Sequence, residues 1–252
     1  MSSPLLRALL TFLTIIATFV VNAWSNIQPL GGESIGVISN TTFREVMITP
    51  ANYAFIIWGV IYLGLIAFGL YQLLPGQRDR TDLNPVRYAL IISSLAQIVW
   101  VFLFLLRLFW ASGLAMLAIL AALVWGYSQR RAQGNLPRRD SWFVERPLSL
   151  YLGWISVATV VNGAIVFYSW GWQQAMPLWT AVMIGVAALL GCGMTWLYRD
   201  LVFPGVFIWA FAAIAVRHSA NGLIFGTVLV GCGVLVAVMV LALMQRGQRK
   251  LS

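Results

Sequence analysis

The chain has 252 residues, of which 61% are hydrophobic and 9% charged, and its net charge of +9 comes from 16 Lys+Arg against 7 Asp+Glu. A soluble domain carries about 25% charged and about 45–50% apolar residues, so this composition excludes a soluble enzyme, a secreted disulfide scaffold and a disordered chain. The apolar runs are continuous rather than alternating, which argues against a transmembrane barrel and leaves a polytopic helical membrane protein with a mean hydropathy of +0.86.

Eight apolar runs follow one another, at residues 5–24, 51–74, 86–106, 108–127, 148–170, 177–198, 201–216 and 222–244. About 20 residues at 1.5 Å each cross a hydrocarbon core of about 30 Å; the seventh run is the shortest. Val21 and Ala23 suit a signal-peptide cleavage site, but the first run is longer than a typical signal core, so a retained span is expected. The linkers are rich in Pro, Gly and Asn and mostly short, which makes successive helices antiparallel.

With eight spans and the N-terminus inside, thirteen cations fall on the inner side: Arg7, Arg78, Arg80, Arg87, Arg130, Arg131, Arg138, Arg139, Arg146, Arg199, Arg246, Arg249 and Lys250. Three fall outside: Arg44, Arg107 and Arg217. Cytoplasmic loops concentrate Lys and Arg, so both termini are expected in the cytoplasm, with the chain in the cell (inner) membrane. The cations are read as topology determinants facing the bilayer, not as a nucleic-acid surface. Fusing the last two runs would bury Arg217 and His218 in lipid, which is costly.

Eight tryptophans (Trp24, Trp110, Trp125, Trp142, Trp170, Trp172, Trp179 and Trp196) lie near run ends, where indoles anchor at the membrane surface. Trp58, Trp100, Trp154 and Trp209 lie within runs, where each N–H needs a partner away from bulk water and each ring packs between helices or lines a pocket. Cys192 and Cys232 sit inside apolar runs without a CxxC and read as packing residues.

Much chemistry is disfavoured. All seven carboxylates (Glu33, Glu45, Asp79, Asp82, Asp140, Glu145, Asp200) fall in linkers or at run ends, so no span is expected to hold the buried acid that a proton pump or aspartyl protease needs. Lys250, in the tail, is the only Lys, which excludes a retinal Schiff base. His218 is the only His, which excludes bis-His haem ligation and an HExxH zinc site; it reads as an interfacial residue. There is no catalytic constellation, and no cofactor is certain. Gly222 and Gly226 form a GxxxG that permits close helix packing within the chain; a homodimer is left open.

The polar and aromatic residues left inside spans include Tyr62, Gln97, Trp100 and Asn162. On the fifth run, Tyr151, Trp154, Ala158 and Asn162 are spaced by 3, 4 and 4 residues and share one helix face. That face is either a helix–helix seam or a pocket wall.

Two segments resemble the tryptophan-rich sensory protein family, also called TspO/MBR or translocator protein. The fifth run reads Tyr151-Leu-Gly-Trp154-Ile-Ser156-Val-Ala158-Thr159-Val-Val-Asn162, where the family has Y-L-x-W-x-[SA]-F-A-T-x-L-N. The second reads Thr49-Pro50-Ala-Asn52-Tyr53-Ala-Phe55-Ile56-Ile57-Trp58-Gly59-Val-Ile-Tyr62, similar to P-P-x-W-x-F-x-P-[VI]-W-x-x-L-Y. Gln97-Ile-Val-Trp100, followed by Phe104, stands where the family has N-x-x-W and aromatics. Thr49 and Ile56 replace prolines, Asn52 a tryptophan and Gln97 an asparagine. The likeness covers roughly residues 5–170.

The apolar runs give an all-α membrane bundle of about eight spans; the resemblance implies that residues 1–170 form a five-helix core enclosing a pocket for flat apolar ligands, and the three added helices with a basic tail over 171–252 lie outside it. The family binds porphyrins and haem, and some members bind sterols or synthetic ligands. Some bacterial members are linked to light-dependent porphyrin breakdown through two pocket tryptophans, which match Trp58 and Trp154; Ala158 matches a pocket-wall alanine and Gln97 a pocket amide. The expected ligand-binding residues are therefore Trp58, Tyr62, Gln97, Trp100, Tyr151, Trp154, Ala158 and Asn162. The external Arg44 is a candidate partner for an acid group on such a ligand. A porphyrin sensor, a small-molecule transporter and a light-dependent porphyrin-degrading enzyme all fit this reading. Counted from the run ends, Trp58 lies near the outer surface and Trp154 near the inner one. They share a pocket only if the fifth helix starts early, near Asp140, or tilts; the mostly apolar Ser141-Trp142-Phe143-Val144 favours the early start.

Overall fold

The structure, a computed structural model, describes residues 3–134 and 137–248, with side chains as far as Gln245. Arg249, Lys250 and the Arg246 side chain lie outside the described residues. Each apolar run forms a helix, and among the described residues there is no strand. The first span is α1 (Pro4–Ile27), followed by a short α2 (Ile35–Thr41) and a 3-10 turn (Asn52–Ile56) that leads into α3 (Ile57–Tyr71). Then come α4 (Asn84–Leu105), α5 (Phe109–Arg131) and a one-turn α6 (Arg138–Asp140). A π-helical turn (Ser141–Glu145) joins α6 to α7 (Arg146–Ser169). The chain ends with α8 (Met176–Tyr198), α9 (Val202–Arg217) and α10 (Gly222–Gln248).

Local chemistry sets several of these boundaries. Ser3 caps α1 by accepting a hydrogen bond from the Leu6 amide, with Pro4 behind it; prolines also open α4 and α8, where a missing N–H costs nothing, while Pro147 follows directly on the π-turn that leads into α7. Seven helical segments are long and apolar enough to cross a membrane, and α9 is shorter. Its 16 residues span about 24 Å. Yet Asp200, just before it, bonds the far end of α5, while Arg217 at its other end bonds the loop after α1. So α9 runs from one end of the bundle to the other, and the eight runs alternate in direction. The short helix is tolerated because protein covers most of its length, with Phe203, Val206, Phe207, Ala210, Phe211 and Ile214 all buried.

Five helices close a ring: α1 packs on α3 and α4, α4 on α5, α5 on α7, and α7 back on α3. The tightest contact within it needs glycine: a Cβ on Gly126 of α5 would sit 2.4 Å from the Ala89 Cβ of α4. Outside the ring, α9 lies on α7, with α8 and α10 packed around it. Gly153 lets α9 approach, since a Cβ there would stand 3.1 Å from Val206. The GxxxG glycines make no such contact. A Cβ on Gly222 or Gly226 meets nothing within 4 Å, so the expected packing role falls instead to Gly191 and Gly231.

All eight tryptophans assigned to the membrane surface are exposed on the bundle. The charged end departs from the sequence expectation. Arg87 and Arg130 do not face the bilayer surface; both are fully buried. Arg87 donates to Gln72 Oε1 (2.8 Å), to the carbonyls of Arg80 and Gln77, and to Asn84 Oδ1, and so ties up the α3–α4 linker. Asp140, expected in a linker, lies inside the helical segment Arg138–Ser169 with no exposed surface. It accepts from Arg130 (2.6 Å), Arg80 (2.7 Å) and the Tyr71 hydroxyl (2.7 Å). The expectation of no buried acid is thus overturned. Its basis was run length, and the apolar run at 148 is only the later part of a helix that begins ten residues earlier.

Asp200 is the second buried acid. Its Oδ2 accepts from Ser149, Tyr127 and Arg131, and its Oδ1 caps α9 through the amides of Val202 and Phe203. Burial alone would raise its pKa, but the bonds from Ser149, Tyr127 and Arg131 outweigh that and hold it below the ordinary carboxylate value. A carboxyl whose folded-state pKa is depressed stabilises the fold above its unfolded value and loses that contribution as pH falls through the folded one. Thermal stability in detergent should therefore stay level from neutral pH down to about 5 and fall below about 4. Asp200→Asn should make that acid limb shallower; an unchanged limb would show that Asp200 is not part of it.

Candidate functional site

The early start of α7 decides the site. Because helix runs unbroken through the π-turn into α7, Trp154 is carried up the bundle to the level of Trp58 on α3. The two indole centroids lie 6.5 Å apart at an interplanar angle of 87°. Tyr62 stacks on Trp58 at 5.6 Å, and Phe55 meets the other side of Trp154 edge-on at 5.9 Å.

These rings face a cavity inside the five-helix ring. It is lined by Trp58, Gln97, Trp100, Trp154, Ala158 and Asn162, six of the eight expected residues. Tyr62 and Tyr151 do not line it. Both are buried beside it and bond Gln97, whose Nε2 donates to the Tyr62 hydroxyl (3.0 Å) while its Oε1 accepts from the Tyr151 hydroxyl. The Gln97 amide is thereby fixed in orientation, with donor and acceptor both used. Asn162 combines the two readings left open for its face. Its Nδ2 donates to Ser112 Oγ on α5 (3.2 Å), which makes it a seam residue, and it also lines the cavity. Trp209, the fourth tryptophan within a run, is not at the cavity; its indole N–H donates to the Ala54 carbonyl (3.0 Å).

The sequence reading missed the remainder of the wall. Met116 and Ile119 of α5 and Val161 and Ile165 of α7 close the sides, and Ile35, Ser39, Thr49 and Pro50 form a roof from the first loop. Thr49 and Pro50 stood within the quoted likeness, so their place was accessible to inspection. The aliphatic wall has no motif that distinguishes it from any other buried helix face. Arg44 is not part of the site: it is exposed in a separate groove beside Arg217 and His218.

Two polar atoms at the cavity are buried without a hydrogen-bond partner: Trp100 Nε1 and Thr49 Oγ1. A buried donor and a buried hydroxyl left unpaired each carry a desolvation cost. Both belong to lining residues. The free space is about 60 Å³. That admits a few water-sized groups, whereas sites for drug-sized ligands measure about 300–1,000 Å³. The free space is therefore too small for a drug-sized ligand, and a larger occupant requires a wall to move. Among the described residues no acidic or basic side chain lines the cavity, and Asp140 and Asp200 are engaged at the far end of the bundle.

A family model described as TSPO-like protein matches residues 8–243. The chain belongs to the TSPO-like protein family. The match takes in α8 and α9 and nearly all of α10, so it extends well beyond the motif likeness over residues 5–170. Neither a curated protein nor a solved structure matches the chain. This TSPO-like chain is thus a multi-pass integral membrane protein with a small aromatic chamber in its five-helix ring. Among its described residues no group of three or more His, Cys, Asp or Glu is placed to hold a metal ion.

Proposed function

We propose that this protein is a membrane sensor or binding protein for a flat hydrophobic ligand of the porphyrin or haem type. The observation that carries the reading is the chamber itself: two near-perpendicular indoles facing a small apolar space, with Trp100 Nε1 and Thr49 Oγ1 unsatisfied at its edge. Aromatic faces stack on a planar macrocycle, Ala158 leaves room where a larger side chain would fill it, and the two orphaned polar atoms suit a ligand's polar rim. The ligand-contacting residues in this reading are Trp58, Trp100, Trp154, Ala158 and Asn162, with Tyr62, Gln97 and Tyr151 holding the floor. Residues 1–170 form the ligand-binding unit and 171–252 an added supporting unit. The excess of cations at the end bearing Arg87 and Arg130 supports a cytoplasmic location for that end and for both termini, in the cell (inner) membrane.

The test is a titration of the detergent-purified protein with protoporphyrin IX, followed by tryptophan quenching and Soret absorbance. Saturable quenching is expected, weakened at least about tenfold in a Trp154→Ala, Asn162→Ala double variant, which corresponds to about 1.4 kcal/mol of lost contact. Quenching that never saturates, or that the double variant retains in full, would remove the porphyrin reading.

A further inference from the structure

The roof of the chamber is fastened from outside the ring, by α9. The first loop has two halves, and they are held differently. The α2 half is anchored on the ring: Phe43 is buried with its ring against Phe109 (4.7 Å) and Tyr168 (5.9 Å), and Arg107 bonds Glu33 and Thr42. The second half, residues 50–56, carries Pro50 and Phe55 into the chamber wall. Its other side lies against α9. There the Ala51 amide donates to the Ala213 carbonyl (3.2 Å), Trp209 Nε1 donates to the Ala54 carbonyl (3.0 Å) and Arg217 Nη1 donates weakly to the Pro50 carbonyl (3.4 Å); Arg217 Nη1 also donates to Asn40 Oδ1 on α2 (2.9 Å), whose Nδ2 donates to Asn52 Oδ1 (2.8 Å) and ties the two halves together. Tyr53 sets its ring edge-on to Trp209 at 5.5 Å.

Every acceptor in this set is neutral. Among the described residues Arg217 pairs with no carboxylate. The far end of the bundle is built the other way, with Arg80 and Arg130 in direct ion pairs with Asp140. One end is locked by ion pairs, and the roof is held by exchangeable hydrogen bonds to neutral acceptors. A chamber of about 60 Å³ fills only if a wall moves, and residues 50–56 are the wall segment whose support comes from outside the ring.

We infer that α9 is a latch. Trp209 and Arg217, neither of which touches the chamber, are positioning residues that hold residues 50–56 over it, and their release sets how fast a ligand gains access. The inference rests on the chamber being a ligand site, but its first test does not involve the ligand.

In a full-length Cys192→Ser, Cys232→Ser background, Ala158→Cys places a thiol on the chamber wall. Its rate of reaction with a water-soluble methanethiosulfonate reports access. Trp209→Phe keeps an aromatic ring but removes the N–H together with the five-membered ring of the indole; Arg217→Gln removes the longer reach. Each should raise the labelling rate several-fold and the two together at least tenfold, along with faster hydrogen exchange of the Ala51 amide. The amide of Val101 on α4 should exchange as before. Labelling and Ala51 exchange unchanged from the parent would overturn the latch. In the second arm, the double variant should bind protoporphyrin IX at least tenfold faster, with a smaller change in Kd. If the parent binds no protoporphyrin IX while labelling still accelerates, the latch stands and the porphyrin reading falls.

Discussion

Asp140→Ala should be among the most destabilising single changes in this protein, lowering its stability by about 3–5 kcal/mol. The acid and Arg130 are both buried, and Arg80 and the Tyr71 hydroxyl also point at the same carboxylate. Through these bonds one side chain ties α3, the α3–α4 linker, α5 and the start of α7 together at one end of the ring. Removing it leaves the Arg130 guanidinium buried and short of its acid, with Asp82 at 3.1 Å the remaining counter-ion. The cost is that of a buried charge left with only a half-exposed partner, rather than of one lost contact. Arg130→Met combined with Asp140→Leu, which removes both charges and refills the space, should recover most of the loss. Glu33→Gln breaks the half-exposed pair with Arg107 and should cost less than about 1 kcal/mol. Thermal unfolding of the purified variants in one detergent measures all three. A small effect of Asp140→Ala, comparable to Glu33→Gln, would mean that this end is not clamped by charge.

That clamp was not legible in the sequence. Arg87, Arg130 and Asp140 stand outside or at the edges of apolar runs, where hydropathy places charges in water. Arg87 is enclosed by the α3–α4 linker, and Arg130 meets Asp140 on the helix that begins at Arg138, whose first turns are too polar to register as a span. Asp200 escaped notice for a related reason: a two-residue linker gives no hint that five donors from α5, α7 and α9 converge on it. The spans themselves were legible, because eight long apolar runs have few alternatives in a bilayer, and so was the surface belt of tryptophans. The aromatic core of the site was legible through its spacing. Trp154, Ala158 and Asn162 share a face by helical periodicity, and the interior indoles stood out because an N–H away from water is costly. Met116, Ile119 and Ile165 were invisible, since an aliphatic residue facing a chamber and one facing a neighbouring helix read alike. The role of Trp209 was invisible too. Its bond to Ala54 joins residues 155 apart in the chain, and no periodicity links them.

Ala158→Leu should separate binding from stability. Ala158 lines the chamber one turn above Trp154, and three added carbon atoms would occupy most of the roughly 60 Å³ that is free. Filling an existing void imposes less strain than overpacking a tight core, which costs about 1–3 kcal/mol, so stability should fall by no more than that. Protoporphyrin IX binding should weaken at least about 100-fold, a loss of about 2.7 kcal/mol, because the leucine stands where the macrocycle would insert between Trp58 and Trp154. Trp154→Ala gives the complementary pattern. It should lose binding and also about 3–5 kcal/mol of stability, since a buried indole leaves a hole that the ring of helices closes only in part. A variant that lost binding only because it had come apart would track the second pattern and not the first. Ala158→Leu that binds protoporphyrin IX as tightly as the parent would move the ligand out of this chamber altogether.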